Sequence, residues 1–203
     1  MAAMPQEKLL PLLPDLRDAK KIDGAVDQVL AAIQRKEAIL TGYPSVNTVD
    51  RVRGVSETIL EKRYPTEFEP PQEPTTFGAA TPAKPSALVD SVISATPTAF
   101  ETRNVGVTLE VEPSVDDRGI IRIDLVPSRV ELLGFDAYEG VKTSSGHIVK
   151  ADQPLFFTSK TTATVCVSNG QRRLIGVQLL EQPKGYMEVF ILQAWAEPIP
   201  TQK

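Results

Sequence analysis

The dipeptide Asn169-Gly170 separates two strand-like runs, residues 161–168 and 171–179. Asn-Gly is the strongest short-range hairpin signal, because a type I′ turn needs positive φ at both central residues. The spacing predicts a β-hairpin here, and the alternation that predicts it extends well beyond the turn. From residue 99 onward the apolar period is two. Val107, Leu109 and Val111 alternate with Thr108, Glu110 and Glu112, and Ile121, Ile123 and Leu125 alternate with Arg122 and Asp124. Asp116-Asp117-Arg118-Gly119 reads as the turn between them. Val130, Leu132 and Leu133 mark a shorter strand, residues 136–153 a long polar loop, and residues 155–159, 161–168, 171–179 and 186–196 further strands. About seven short strands at regular spacing predict a mainly β chain, folded as an antiparallel immunoglobulin-like β-sandwich.

Before residue 64 the period is helical. Ile22, Val26, Val29, Leu30, Ile33 and Leu40 recur opposite Lys20, Asp27, Gln28 and Arg35, predicting a helix over 15–41 that Gly42 and Pro44 end. Val49, Val52, Ile59 and Leu60 predict a second helix over 48–63, with Asn47 as its cap. The sandwich is thus expected to follow an N-terminal α-helical hairpin. Pro65, Pro70, Pro71, Pro74, Pro82 and Pro85 then concentrate the chain's prolines in one linker or strap, with 88–94 as a short edge strand inside it. The expected organisation is a helical hairpin over 1–64, a Pro-rich strap over 65–98, a β domain over 99–198 and a tail over 199–203.

The chemical inventory is sparse. A net charge of −4 over 203 residues leaves no electrostatic footprint for nucleic acid. The single cysteine, Cys166, excludes an intrachain disulfide and reads as a small half-buried strand residue. His147 is the only histidine and lies among polar residues with no second ligand, so no metal site is expected. Ser144 and Ser145 lack a nucleophile-elbow context. Asp116-Asp117 reads as turn chemistry, and no glycine loop cradles a phosphate. The expectation is a non-enzyme with no cofactor. No apolar run approaches the roughly 18 residues of a membrane-spanning helix. The start, MAAMPQEKLLPLLP, lacks the basic region of a signal peptide.

Three aromatic residues stand out as interaction candidates. Phe135 and Tyr138 lie beside the expected 136–153 loop. Trp195 ends a strand apolar on both sides, with Val189 and Ile191 on its own side and Phe190, Leu192 and Ala194 on the other. Such a strand is buried centrally or covered from outside, and the N-terminal helices could supply the cover. Arg172 and Arg173 are strand neighbours and point to opposite faces, with at least one guarding a strand edge.

Three blocks within 100–198 resemble the secretin core, the ring-forming outer-membrane pore family of secretion systems and type IV pili. Phe100 followed by Arg103-Asn104-Val105-Gly106-Val107, closing at Pro113, is similar to the family's first strand. Residues 154–176, with Val165-Cys166-Val167 and Gln171, resemble its second block. Residues 186–198, with Glu188-Val189-Phe190-Ile191-Leu192, resemble its terminal strand. The resemblance implies a bacterial envelope location, periplasmic or outer-membrane associated, and pilus or secretion-apparatus proteins as partners, with self-association among the options. It also implies what is missing. Between the second and third blocks the family carries a membrane-facing lip, and here the interval is only 177–185. The family's strands before the first block are expected to be missing, replaced by the Pro-rich strap, and too few strands reach the 9–11 residues of a spanning barrel. The expected protein is therefore a trimmed, non-catalytic structural or accessory component that acts by protein contacts without direct membrane insertion. The alternatives are a divergent pore subunit and an immunoglobulin-like adhesin that binds a surface protein or glycan.

Overall fold

The structure is a computed structural model and describes residues 1–69, 96–142 and 148–198, without the side chains of 138–142 and 148–151. In chain order the elements are strand β1 (Ala2–Pro5), helix α1 (Gln6–Leu9), a 3-10 turn (Leu10–Leu12), helices α2 (Leu13–Arg17) and α3 (Ile22–Gln34), then strands β2 (Ile39–Leu40), β3 (Gly54–Glu69), β4 (Thr96–Val115), β5 (Ile121–Lys142), β6 (Ile148–Lys160), β7 (Ala163–Val167), β8 (Arg172–Leu179) and β9 (Tyr186–Gln193). The chain is mainly β, with two antiparallel sheets and a short helical region near its start. One sheet has the order β2-β1-β9-β8. The other has the order β3-β4-β5-β6, and β7 pairs with β5.

The described chain divides into two compact units that interleave in sequence, rather than following one another at residues 64 and 98. Unit 1 comprises 1–60, 105–131 and 157–203, and unit 2 comprises 61–104 and 132–156. Most of the expected strap, the expected edge strand over 88–94 and the tail lie outside the described residues.

Unit 1 is layered. Residues Leu9, Leu16, Ile22, Val26 and Val29 of the helices pack with Ala2, Met4 and Val189 into one core. Leu109, Val111, Ile121, Ile123, Leu125 and Val167 pack with Ile175 and Leu192 into a second core between the two sheets. The β2-β1-β9-β8 sheet is thus covered by helices on one side and by the other sheet on its second side. This is the two-sided cover that the apolar alternation of β9 requires. The arrangement is sandwich-like.

The helical expectation holds for its first arm with shorter bounds and fails for the second. Helix formation stops at Asp18, whose Oδ1 accepts the N–H of Lys20 at 2.9 Å, and resumes at Ile22. This local side-chain bond competes with the helix. At the other end Lys36 takes a φ of 60°, which ends α3 at Gln34, short of the expected 41, and frees Ile39–Leu40 to pair with Ala2 and Ala3. The predicted helix over 48–63 is instead strand β3 from Gly54 onward, so the expected pairing of helices over 15–41 and 48–63 does not form. Its Val55, Thr58 and Ile59 are β-branched, and pairing with β4 outweighs a weak helical stripe. A long strand therefore does precede the first secretin-like block.

The Asn169-Gly170 turn forms, but not as a hairpin. The N–H of Gln171 donates to the carbonyl of Ser168 at 3.0 Å. Only Gly170 has positive φ, at 75°, which is the type II requirement rather than the type I′ one. Its flanking strands belong to different sheets: β7 pairs with β5 and β8 with β9. The turn is held from the side, where the Gly170 N–H donates to the Ala194 carbonyl at 2.8 Å and Asn169 Oδ1 accepts the Ala196 N–H at 2.8 Å. The hairpin in this region is the next one. Strands β8 and β9 are joined directly over 180–185, as short an interval as the sequence indicates.

Strands β3, β4, β5 and β6 run for 16, 20, 22 and 13 residues, longer than the sequence alternation suggests. The expected 136–153 loop is largely strand, because β5 continues to Lys142 and β6 begins at Ile148. Strand β5 passes through Pro127 without ending. β7 pairs with its residues 121–125, and the Thr161 N–H donates to the Pro127 carbonyl at 3.1 Å where that pairing stops.

Gly106, in the first secretin-like block, has a φ of 140°, and a Cβ there would lie 2.1 Å from the Thr58 carbonyl oxygen of β3. An alanine at this position meets both backbone strain and a backbone clash. Gly119, with a φ of 77° and open space around it, meets strain alone. Gly119→Ala is expected to cost about 1–2 kcal/mol. Gly106→Ala is expected to cost clearly more than Gly119→Ala, and urea midpoints of the two variants check this order.

Candidate interaction surface

Unit 1 contains a buried ionic network that links the two sheets. Glu188, on β9, is fully buried and faces Arg129 of β5 and Ser159 of β6. Arg129 Nε donates to Glu188 Oε1 at 2.9 Å, and Arg129 Nη1 donates to Glu131 Oε2 at 2.6 Å. Ser159 Oγ lies 2.6 Å from Glu188 Oε2 and 2.7 Å from Gln178 Oε1, so one hydroxyl proton serves both oxygens in turn. The Gln178 amide in turn donates to the Lys160 carbonyl at 2.8 Å. The Arg129 guanidinium lies 5.9 Å from the Phe157 ring, and among the described residues its Nη2 has no hydrogen-bond partner. Burial pulls the Arg129 pKa down. The bond to Glu131 and the charge of Glu188 outweigh it, so the pKa ends above its ordinary value and the group stays charged at any working pH. A sequence signal for this pair existed: Glu188 is the one charge in an otherwise apolar strand.

Unit 2 shows no core among its described residues. Among its described side chains none is buried. What orders them is polar and aromatic contact across strands. The Arg63 guanidinium lies 4.2 Å from the Phe100 ring centroid, and that of Arg103 lies 4.7 Å from the Phe156 centroid. Tyr64 stacks tilted on Phe156 at 5.6 Å and donates its hydroxyl to Glu101 Oε2 at 3.1 Å. That bond, and then desolvation, raise the Tyr64 pKa. Each such contact contributes about 0.5–1 kcal/mol at an exposed site. Successive residues of β3 point to opposite faces. Glu61, Arg63, Glu67 and Glu69 therefore charge one face and Lys62 the other. Strands β3 and β6 end the sheet order, each with one unpaired edge among the described residues.

The three aromatic candidates fall in different units. Phe135 lies in strand β5, not beside a loop, is 61% exposed and belongs to unit 2. Tyr138 lies in the same strand, and its side chain is outside the described residues. Trp195 belongs to unit 1, past the end of β9, and is 64% exposed. Its indole covers the Asn169-Gly170 turn, where a Cβ on Gly170 would lie 3.2 Å from the indole Nε1. Trp195 is thus neither a buried core residue nor part of an aromatic platform.

Other sequence candidates resolve differently. Cys166 is exposed rather than half-buried, with Arg122 as its cross-strand partner. His147, Ser144 and Ser145 lie outside the described residues. Among the described residues no group of three or more His, Cys, Asp or Glu could hold a metal ion. Asp116 works as turn chemistry, with Oδ1 accepting the N–H groups of Ile120 at 2.8 Å and Arg118 at 3.0 Å. No helix among the described residues is long and apolar enough to cross a membrane.

Two predictions follow from these contacts. Removing only the acid of the buried pair strands a charge, so Glu188→Ala should cost about 3–5 kcal/mol. Replacing both partners, as Arg129→Met with Glu188→Leu, should cost less than Glu188→Ala alone, and chemical denaturation of the three proteins measures the difference. The Ile120 N–H holds the Asp116 carboxyl below its ordinary value of 3.8 against a smaller opposing desolvation, and Arg118 adds to the effect. A depressed pKa stabilises the turn above the unfolded value and loses that contribution as pH falls through the folded one. The Ile120 amide resonance should therefore titrate with a midpoint below 3.8 in the native protein and lose this step in Asp116→Asn.

No protein-family model, no curated protein and no solved structure matches this chain.

Proposed function

We propose that the protein is a non-catalytic structural or accessory component of a bacterial envelope machine, a type IV pilus or secretion apparatus, and that it works through protein contacts made by its long β-sheet. The observation that carries this reading is unit 2. A sheet with no buried side chain among its described residues and two unpaired edges gains stability from neighbours that cover its faces or extend its edges. The secretin-like blocks supply the envelope setting and the kind of partner.

Strand length favours a second reading, the divergent pore subunit. A spanning β-strand needs about 9–11 residues, and β3 to β6 all exceed that. Charge favours the first reading, since a lipid-facing surface bears charges at a cost of about 2–4 kcal/mol for each Arg or Lys at the midplane. Both faces of β3 carry charge in unit 2. The short interval between β8 and β9 likewise leaves no room for a membrane lip.

Light scattering after size exclusion, negative-stain electron microscopy and liposome flotation separate the readings. The accessory reading expects no flotation and no ring from the purified chain, and it expects stable binding to a purified pilus or secretion-apparatus component. Rings that float with liposomes would replace it with the pore-subunit reading.

A further inference from the structure

Strand β8 is the end strand of the β2-β1-β9-β8 sheet, and among the described residues only one of its edges is paired. A groove of about 400 Å³ lies between β8 and the helical segment. All six consecutive residues 172–177 line it. A cavity over one face of a strand touches alternate residues, so a cavity that touches consecutive ones follows the backbone edge. Helix α2 and the start of α3 form the opposite wall with Leu16, Arg17, Ala19 and Ile22. An unpaired strand edge beside a helix is a geometry in which an extended peptide adds as a further strand.

The charge of the groove selects the peptide. Its lining carries Arg17, Arg172 and Arg173 and no carboxylate. Arg172 is engaged by Asp27 of α3, with its Nη1 at 3.1 Å from Asp27 Oδ1. Arg17 and Arg173 are exposed, and among the described residues neither has an acidic partner within 4.0 Å. The two uncompensated cations thus flank an open hydrogen-bonding edge. A second copy of this strand is a poor occupant, since it would bring the same arginines to the same edge. The register shift between Leu174 and Gly176 also blunts indiscriminate pairing.

We propose that the β8 edge and helix α2 form a docking groove for an extended acidic segment of a partner protein, which joins the sheet as a fifth strand. The proposal goes beyond the structural role of unit 2, because the groove lies wholly within unit 1.

The test uses the full chain and three labelled peptides of about eight residues, the length of a typical strand. One alternates Thr with Glu, one Thr with Lys and one Thr with Ser. Fluorescence polarisation should show the Glu peptide binding at least about tenfold more tightly than the other two, with affinity falling as salt rises. Amide exchange on the same complex should slow within 172–177. The Arg17→Glu, Arg173→Glu double variant should lose about tenfold, and the Arg17→Lys, Arg173→Lys variant should stay within about threefold, each with an unchanged circular dichroism spectrum. Equal binding of the three peptides, absence of saturable binding, or protection confined to other strands would overturn the proposal. None of these outcomes depends on whether the protein belongs to an envelope machine.

Discussion

Strand β9 has to be covered twice, and unit 1 is organised around meeting that requirement. Val189 and Phe190 are adjacent, point in opposite directions and are both buried. One side is closed by α3 and the short helices before it, the other by the sheet that contains β4, β5 and β7. A half-solvated sheet would have left one of the two rows of apolar side chains in water, at roughly 1.5–3 kcal/mol for each large residue. The helical segment is therefore part of the core, although a count of secondary structure makes it look like an appendage. Strand β1, four residues long, sits between β2 and β9 and is buried along most of its length for the same reason.

Glu188 interrupts that apolar strand, and its burial sets a second condition. A carboxylate taken out of water needs a paired cation and further hydrogen bonds. Arg129 and Ser159 provide them from the opposite sheet. The pair adds little net stability relative to apolar residues of similar volume, and its physical effect is on alignment. A bond from a fixed Nε to a fixed Oε1 is satisfied in one register of the two sheets, and a one-residue slip would bury both charges unpaired.

Unit 2 follows a different logic. Its described residues are held by cross-strand aromatic and guanidinium contacts in place of burial, and its strands continue those of unit 1 along the chain. A strand edge left unpaired invites pairing. Charged residues on β3 meet part of that risk.

The alternation of Val107, Leu109, Val111 and of Ile121, Ile123, Leu125 made the β class, the antiparallel pairing of β4 with β5 and much of the inter-sheet core legible from residue order alone. Burial on one face writes itself into a period of two. The apolar run of β9 announced two-sided cover, and the short interval over 177–185 announced a tight connection. The rest was settled by contacts distant in sequence. Residues 54–63 became a strand because β4 lies beside them, with Gly106 letting the backbones approach. Asn169-Gly170 joined two sheets instead of two hairpin strands because β7 and β8 each found another partner. The Arg129–Glu188 pair spans 59 positions, and no local pattern identifies the partner of a buried charge. Local periodicity determines which face of an element seeks burial; which surface then buries it is decided only when the whole chain is assembled.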